Sequence, residues 1–322
     1  MPRDGVRGAG SAPTEKPGGA DPPKPRDAVR GPGPAEQPVP RDADPAIRVI
    51  GLIGAGRIGQ PIIGHLVRRG FTVFACDADA GKREAVEQRG AAWVDPRDIG
   101  QHAEAVLVCV GYDRELRDLM AQGLVGRLRP RTILAVLSTV NPVTVQELER
   151  LAGPAGVRVV DATMCRGGRA ADAGTMLSFV GGDRAAVERL KPVVAAYSTD
   201  IVYTGATGTA QAAKAANNLL MWACLIANHE ALALARRFGV DPEVLRDALL
   251  KTGAENGVLR NWGTSTMAWA DDDLEIIQAM ARQVRIAVPQ ADLNRELCRA
   301  LKPKRFRLDE YGSGSSRTPP FR

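Results

Sequence analysis

The sequence has few of the residues that build disulfide scaffolds or metal centres. Its 322 residues include five cysteines and three histidines. The cysteines are scattered and odd in number, and they form no C-x-x-C pair, which argues against a disulfide framework and against a zinc site. The histidines lack the spacing of metal ligands. We therefore predict no metal, and we expect a reducing, cytoplasmic location.

Long apolar runs are scarce as well. No uninterrupted apolar stretch has the length needed to cross a bilayer, and the N-terminus lacks the apolar segment of a secretory signal. A charged fraction of 25% beside 44% hydrophobic residues is ordinary for a globular protein. We expect no membrane partner, and the chain is long enough for two domains with sizeable cores.

The net charge of +6 is unevenly distributed. Residues 1–46 hold seven basic and seven acidic side chains, whereas residues 301–322 hold six basic and two acidic ones. Most of the excess charge therefore lies at the end of the chain, and the central body is near neutral. A basic tail is usually just solvated, so we expect no nucleic-acid partner.

The two ends of the chain differ in composition from its middle. Residues 1–46 hold eleven of the 22 prolines and almost no large apolar side chains. Such a segment cannot bury enough surface to offset its ordering entropy. We predict a disordered tail over 1–46, with a mis-assigned start site as the alternative explanation. The segment 309–322 is similar in composition and is predicted to be a flexible tail.

Between the tails, short apolar runs alternate with helical patterns. The runs are IRVIGLIG, TVFACD, AEAVLVCV, TILAVLS and GVRVVDATM. This alternation implies a parallel sheet covered by helices. After about residue 208 the strand signals stop, and TAQAAKAANNLLMWACLIANHEALALARRFG predicts one long helix. We predict an α/β fold, with an N-terminal Rossmann domain containing a parallel sheet (47–208) followed by an all-α C-terminal domain (209–308).

The first predicted strand runs directly into a G-x-G-x-x-G loop that opens a helix. In this context the backbone N–H groups of the loop face a pyrophosphate. The candidate cofactor-binding residues here are Gly54, Gly56, Arg57, Ile58 and Gly59. Asp77 closes the second strand, close to the roughly 20-residue distance expected for a ribose ligand. The alternative interpretation is a structural turn without a ligand.

Asp77 also bears on the choice of cofactor. A carboxylate at this position accepts a hydrogen bond from a ribose 2′-hydroxyl and repels a 2′-phosphate, which favours NAD over NADP. Lys82 and Arg83 follow closely and would soften this preference, although a solvated helix face is the simpler interpretation of both. We predict NAD as the cofactor, with NADP as the alternative.

Two segments are candidates for the chemistry. Lys214 and Asn218 share a face of the long helix among alanines. A lysine there loses hydration and can exchange a proton with a substrate, although a lone lysine is more often a surface residue. In DATMCRGGRAADAGT, small residues after a strand bring backbone N–H groups close to a ligand. Arg166 and Arg169 have the shape to grip a carboxylate there, unless they are simply solvated.

Taken together, these motifs resemble those of the β-hydroxyacid dehydrogenases, the family of 3-hydroxyisobutyrate dehydrogenase and, more distantly, 6-phosphogluconate dehydrogenase. The matching segments occur in the family's order over about residues 47–290: GLIGAGRIG, STVNP, DATMCRGGRAADAGT, GTAQAAKAANN and EALALARRFGVDP. The resemblance implies that the chain is an oxidoreductase moving hydride reversibly between NAD(P) and a short hydroxy acid or its semialdehyde. It also implies a site between the two domains and a homodimer or homotetramer.

The resemblance also implies roles for individual residues. Lys214 would be the catalytic general acid/base, and Asn218 would position the reacting oxygen. Thr139 would lie near the nicotinamide ribose, and Val110 stands where the family has a leucine after the fourth strand. The substrate carboxylate would be bound by Cys165, Arg166 and Gly167.

Departures from the family pattern bear mainly on the substrate. Cys165 replaces the family's serine, and Arg166 replaces the first glycine after it. We therefore predict a substrate with a different or second anionic group, held partly by Arg166. Asp272 stands where the lysine of the family's KDL motif is expected, near the nicotinamide.

Two alternative functions stay open. The first is an imine or other carbonyl reductase on the same scaffold, which Lys214 disfavours because such relatives usually carry another residue there. The second is a silent nucleotide-binding paralogue that serves as an interaction module. Loss of the serine and of the KDL lysine favours this module slightly, but the retained pair of Lys214 and Asn218 disfavours it.

Overall fold

The computed structural model describes residues 46–264 and 266–311, so the predicted N-terminal tail up to residue 45 and the segment 312–322 lie outside the described residues. The described residues form eight strands and twelve α-helices, besides short 3₁₀ turns. The strands are β1 (Val49–Ile53), β2 (Thr72–Cys76), β3 (Ala92–Trp93), β4 (Ala105–Val108), β5 (Ile133–Val136), β6 (Arg158–Cys165), β7 (Met176–Gly182) and β8 (Ser198–Gly205).

The helices fall into a group interleaved with the strands and a group that follows them. The interleaved helices are α1 (Gly59–Arg68), α2 (Arg83–Glu87), α3 (Ile99–His102), α4 (Asp113–Ala121), α5 (Pro142–Ala152), α6 (Gly167–Ala173) and α7 (Arg184–Val194). The later helices are α8 (Thr209–Arg237), α9 (Pro242–Leu249), α10 (Gly257–Arg260), α11 (Ala270–Val284) and α12 (Pro289–Leu301).

All eight strands belong to one sheet in the order β3-β2-β1-β4-β5-β6-β7-β8. The predicted Rossmann domain followed by helices is confirmed, with one difference: β7 runs antiparallel to β6, so the sheet is mostly rather than wholly parallel. The strand order reverses between β1 and β4, which are direct neighbours. In such sheets the carboxyl ends of the strands at this switch point form the crevice that binds ligands.

The central strands are apolar because helices cover both faces of the sheet. Every residue of β4 and β5 is buried. On one face the core includes Ile62 and Leu66 of α1 and Leu190 of α7. On the other face it includes Leu116 of α4 and Leu148 of α5. This double layer fixes the strand ends from which the candidate site residues project.

The predicted long helix is present as α8, which is 29 residues long. It packs against β6, β7, α11 and α12, and so joins the sheet to the later helices. By length and composition alone α8 would also suit a membrane span. Its Gln211, Asn218 and His229 are buried within the protein, as in the core helix of a folded domain.

Three strands and one boundary differ from the sequence prediction. β3, β7 and β8 were not predicted. The predicted flexible tail begins at 309, yet Arg236 Nη1 of α8 donates to Asp309 Oδ1 at 2.9 Å and Tyr311 donates to Glu230 at 3.1 Å. Residues 309–311 are therefore attached to the helical region through side-chain contacts.

Candidate active site

The loop after β1 is folded so tightly that two of its glycines cannot be replaced without a clash. Gly54 has φ +102°, and a Cβ on it would overlap the carbonyl oxygen of Cys109. A Cβ on Gly59 would overlap the carbonyl oxygen of Gly54. At Gly56, by contrast, no atom lies within 4 Å of where a Cβ would stand. The loop thus turns back on itself and leaves open space beside Gly56.

This open space lies at the N-terminus of α1. Ile58, the N-cap residue, provides no side-chain cap, and the first turn of α1 carries no acidic residue. A helix N-terminus without these features attracts an anion through its backbone N–H groups. The predicted pyrophosphate of a dinucleotide therefore fits the geometry and the electrostatics of the loop.

At the end of β2, Asp77 lies beside the glycine loop as predicted, but its carboxylate already has partners. Oδ2 accepts a hydrogen bond from the Ala55 backbone N–H at 2.7 Å, and Oδ1 accepts from the Lys82 ammonium at 2.9 Å. Lys82 is therefore not a residue of a solvated helix face. Arg83 does lie on a solvated helix face, where it pairs with Glu87 one helical turn away. The carboxylate predicted to bind the ribose thus carries its own counter-ion.

The loops after β4 and β5 are joined by hydrogen bonds next to the glycine loop. The Val110 backbone N–H donates to Ser138 Oγ at 2.8 Å. Thr139 is half-buried between two buried neighbours, Ser138 and Val140. Both predicted cofactor residues, Val110 and Thr139, therefore follow the carboxyl ends of adjacent strands, on the side of the sheet where ligands bind.

The loop after β6 contains the three predicted substrate-binding residues. Cys165 is buried, and burial raises the pKa of its thiol, although the charges of Lys214 and Arg166 act in the opposite direction. The thiol is therefore a protonated, weak hydrogen-bond donor near neutral pH. Arg166 and Gly167 both have positive φ, 78° and 71°. For the arginine, this left-handed backbone is strained.

The side chain of Arg166, which is predicted to hold a substrate anion, has partners within the protein. Its Nη1 donates to the Thr175 carbonyl oxygen at 3.0 Å, to Thr199 Oγ1 at 3.1 Å and to Asp200 Oδ2 at 2.7 Å. These contacts hold the guanidinium at the exposed edge formed by β8. Arg166 is therefore paired with Asp200 in this structure, and its contact with a substrate anion stays a prediction.

Arg57, predicted as a cofactor residue, connects the two ends of the cleft. Its guanidinium binds both carboxylate oxygens of Asp172 on α6, at 2.7 and 2.5 Å. It also covers Gly168, where a Cβ would stand 2.8 Å from Nη2. The guanidinium thus lies directly against the backbone of Gly168, and a side chain at 168 would require this exposed arginine to shift. The nucleotide loop and the substrate loop are thus held together by an exposed, bidentate ion pair.

Lys214 is half-buried on α8. Its positive charge opposes the rise in pKa of two buried groups, the Cys165 thiol and the Asp273 carboxyl. Cys165 ends β6 and Asp273 belongs to the first turn of α11. The ammonium is therefore close enough to influence both the predicted substrate loop and a carboxyl group of the helical region.

Asp273 was not predicted as a site residue. Burial raises the pKa of its carboxyl, while Lys214 and hydrogen bonds from Trp222 and Asn218 act against this shift. Trp222 Nε1 donates to Asp273 Oδ2 at 3.0 Å. The buried Asn218 amide also accepts from Asn217 at 3.1 Å. Asn218 thus touches the carboxyl group that faces Lys214, and the DDL segment containing Asp272 supplies this partner.

Both halves of the chain match known protein families. Residues 49–205 match the family model described as the NAD binding domain of 6-phosphogluconate dehydrogenase. Residues 208–309 match the model described as the NAD-binding region of NADP-dependent 3-hydroxyisobutyrate dehydrogenase. The junction between the two matches falls between β8 and α8.

Individual relatives agree with the family models. The chain is 28% identical to the 2-(hydroxymethyl)glutarate dehydrogenase of Eubacterium barkeri, over 64% of this chain and 70% of the relative. It is 28% identical to the NAD-dependent L-serine dehydrogenase of Pseudomonas aeruginosa, over 66% and 72%. The fold is similar to that of 3-hydroxyisobutyrate dehydrogenase of Mycobacterium tuberculosis, solved with L-serine, with a TM-score of 0.74, 22% identity and coverage of 80% and 95%.

Proposed function

The chain belongs to the β-hydroxyacid dehydrogenase family and is an NAD(P)-dependent dehydrogenase, and from this premise we propose that Lys214 is the general acid/base in the reversible oxidation of a short hydroxy acid to its semialdehyde. The observation that supports this proposal most directly is the position of Lys214 on α8. Its charge influences both Cys165 of the predicted substrate loop and Asp273 of α11.

In this mechanism the protein moves one proton and orients the substrate. In the oxidation direction Lys214 removes the hydroxyl proton, and in reduction it returns that proton to the carbonyl oxygen. The loop containing Cys165 and Gly167 binds the substrate carboxylate through backbone N–H groups. Asp273 and Asn218 keep the lysine and the reacting oxygen in place. The nicotinamide, when bound, supplies the hydride acceptor or donor.

The ion pair at the end of β2 bears on the choice between NAD and NADP. Asp77 alone would repel a 2′-phosphate. Since Lys82 neutralises this carboxylate at 2.9 Å, the repulsion is reduced and the lysine can also contact a 2′-phosphate. We therefore extend the sequence-based preference for NAD to an enzyme that accepts both cofactors.

A substrate panel with a lysine variant tests the reaction. Purified protein with NAD is given 3-hydroxyisobutyrate, L-serine or 2-(hydroxymethyl)glutarate, and NADH formation is followed by absorbance. We expect turnover of at least one acid, and a loss of about 10²–10⁴-fold in kcat for Lys214→Ala, the usual range for a general acid/base. The matched control is Lys251→Ala, at an exposed lysine near the end of α9, which should keep full activity.

The outcomes separate the alternatives. Full activity of Lys214→Ala contradicts the proposed role of the lysine. NADH binding without turnover of any acid favours a silent interaction module. Reduction of cyclic imines with NADPH in the absence of acid turnover favours an imine reductase on the same scaffold.

Location and assembly are further parts of the proposal. All five cysteines are free, which supports a reducing cytoplasm as the location. Large apolar side chains on and just after α8 are exposed, namely Leu220, Leu234 and Phe238. Because such side chains are often covered by a neighbouring subunit, they support a homodimer or homotetramer. Light scattering of the purified protein would give the number of chains.

A further inference from the structure

Gln211 of α8 connects the catalytic helix to the loop after β5 through both ends of its amide. Its Nε2 donates to the Ser138 carbonyl oxygen at 2.9 Å, and its Oε1 accepts from the Val140 backbone N–H at 3.0 Å. The residue is 1% exposed. A buried amide that satisfies one donor and one acceptor of the same loop fixes that loop in position and orientation.

The two bonds of Gln211 flank a single residue, Thr139. Ser138 and Val140 are buried, whereas Thr139 is half-buried at the carboxyl end of β5. Ser138 in turn accepts from the Val110 N–H through its Oγ at 2.8 Å. The loops after β4 and β5 are therefore one hydrogen-bonded unit in the ligand crevice, and Gln211 is its connection to α8.

The other contacts of Gln211 attach the beginning of α8 to β6. The backbone N–H groups of Gln211 and Gly208 both donate to the buried carboxylate of Asp161, at 3.0 Å each. Thr163 Oγ1 donates to the Ala210 carbonyl oxygen at 3.1 Å. The first turn of α8 is thus held by side chains from β6 and, through Gln211, by the loop after β5.

Lys214 comes three residues after Gln211, on the same face of the helix. Gln211 and Asn218, which precede and follow the half-buried lysine on this face, are both buried. A rotation or shift of the first turn of α8 would move the Lys214 ammonium relative to Thr139. The Gln211 amide bonds oppose this movement because they attach the helix directly to the crevice loop.

We propose that Gln211 is a positioning residue, which holds Lys214 at the correct distance from the crevice loop of Ser138, Thr139 and Val140 and so from the reacting carbon. This inference depends on the proposed function, since it assumes that Lys214 transfers the proton. A misplacement of about 1 Å in such a group costs on the order of 10²-fold in rate. Loss of the Gln211 contacts should therefore lower kcat rather than the affinity for cofactor or substrate.

The test uses the full-length protein with Gln211→Ala and the larger Gln211→Met, which keeps side-chain volume but has no amide. The acids are those of the substrate panel. We expect kcat to fall about 10–100-fold in both variants. KM for the acid and the Kd for NADH, measured by NADH fluorescence, should change less than threefold. The primary isotope effect with the acid deuterated at the reacting carbon should increase, because the chemical step becomes slower.

A second measurement needs no turnover. With NADH bound, Lys214 is labelled with acetic anhydride and the rate is measured by mass spectrometry. Loss of the Gln211 bonds should increase this rate severalfold, because the turn of α8 that carries the lysine is no longer attached to the crevice loop. The matched control is Gln146→Ala: this exposed glutamine of α5 donates to the Thr207 carbonyl oxygen at 3.3 Å, just before α8, and does not reach the crevice loop.

Several outcomes would overturn the inference. One is an unchanged kcat and labelling rate in both Gln211 variants. Another is a loss of activity that follows the unfolded fraction, measured by circular dichroism at the assay temperature, and that is recovered on cooling. A third is an equal loss in Gln146→Ala. If Lys214→Ala itself keeps full activity, the proposed function has failed instead, and the two failures are distinguished.

Discussion

The loops after β1 and after β6 are both glycine-rich connections from a strand to a helix, but they satisfy the backbone differently. After β1 the left-handed position is Gly54, which has the carbonyl of Cys109 directly against it. After β6 the first left-handed position is Arg166, with φ 78°. Backbone crowding fixes the nucleotide end of the cleft. At the substrate end the strained backbone of Arg166 is tolerated because its side chain forms hydrogen bonds with residues outside the loop.

The charged pairs at the two ends show the same difference. Lys82 and Asp77 pair at the nucleotide end, where the Asp77 side chain is only 9% exposed. Arg166 and Asp200 pair where both side chains are about half exposed, at 44% and 50%. Exposed pairs are screened by water and contribute little, whereas buried ones influence what binds beside them. Substitutions at the nucleotide end should therefore have the larger effects.

The largest effect is expected for Gly54→Ala. The added Cβ would meet a backbone carbonyl and would stand on a residue with positive φ, so we expect a loss of about 2–4 kcal/mol in the free energy of unfolding. Urea denaturation monitored by circular dichroism measures this loss in the free energy of unfolding. Cofactor binding should be lost as well, because the loop cannot keep its shape.

Gly56→Ala is the matched control for this prediction. Open space surrounds the position of its Cβ, so stability should change by less than about 1 kcal/mol. The methyl group would nevertheless occupy the space into which we place the pyrophosphate, and the Kd for NADH should rise at least about tenfold. Tight NADH binding by Gly56→Ala would show that the open space is not the nucleotide site.

A smaller and more selective effect is expected for Lys82→Ala. Without the lysine, the Asp77 carboxylate has no counter-ion beside the proposed position of the 2′ group. We expect the Kd for NADPH to rise about tenfold, equivalent to about 1.4 kcal/mol, and the Kd for NADH to stay within about threefold. Fluorescence titration of each nucleotide gives both values without any assumption about the substrate.

Arg83→Ala serves as the comparison for Lys82→Ala, because Arg83 carries the same charge one residue later but pairs with Glu87 on the exposed helix surface. Both nucleotides should bind this variant normally. Equal losses in the two variants would mean that general positive potential, rather than the contact with Asp77, decides NADPH affinity.

The sequence predicted the parts of the fold that depend on long or wholly apolar segments. β4 and β5 are wholly buried apolar runs, β1 is buried after its first residue, and α8 has no proline, so the local pattern was sufficient. β7 and β8 were not predicted because polar residues and glycines interrupt their apolar pattern. The antiparallel direction of β7 depends on its pairing with β6 in the sheet, which the local sequence does not specify.

Among the site residues, those set by local helical periodicity were predicted, whereas contacts that depend on the assembled sheet were not. The positions of Lys214 and Asn218 on one helix face followed from helical periodicity alone. The partner of Arg166 is Asp200, which lies on strand β8. Because the sequence pattern did not predict β8, it could not predict this contact. The contact of Lys82 with Asp77 could have been predicted from the sequence, because Asp79 caps the turn that brings Lys82 back to Asp77. That aspartate followed by glycine two residues later is the signal that was overlooked.

The smallest effects are expected at Arg166, where two substitutions separate strain from contact. Both Arg166→Ala and Arg166→Gly lose the bonds to Thr175, Thr199 and Asp200. Only glycine removes the cost of the left-handed backbone. Even after allowing for the greater freedom of glycine in the unfolded chain, Arg166→Gly should be more stable than Arg166→Ala by about 1 kcal/mol. Urea midpoints of the two variants measure the difference.

The same pair of variants decides whether Arg166 contacts the substrate. Because its guanidinium is bound to Asp200, kcat/KM for both monocarboxylic and dicarboxylic hydroxy acids should change less than about threefold, as expected for an exposed pair. A selective rise of tenfold or more in KM for 2-(hydroxymethyl)glutarate would instead show that a second substrate carboxylate displaces Asp200. In that case the substrate end, like the nucleotide end, would owe its selectivity to a charged side chain held ready by a carboxylate.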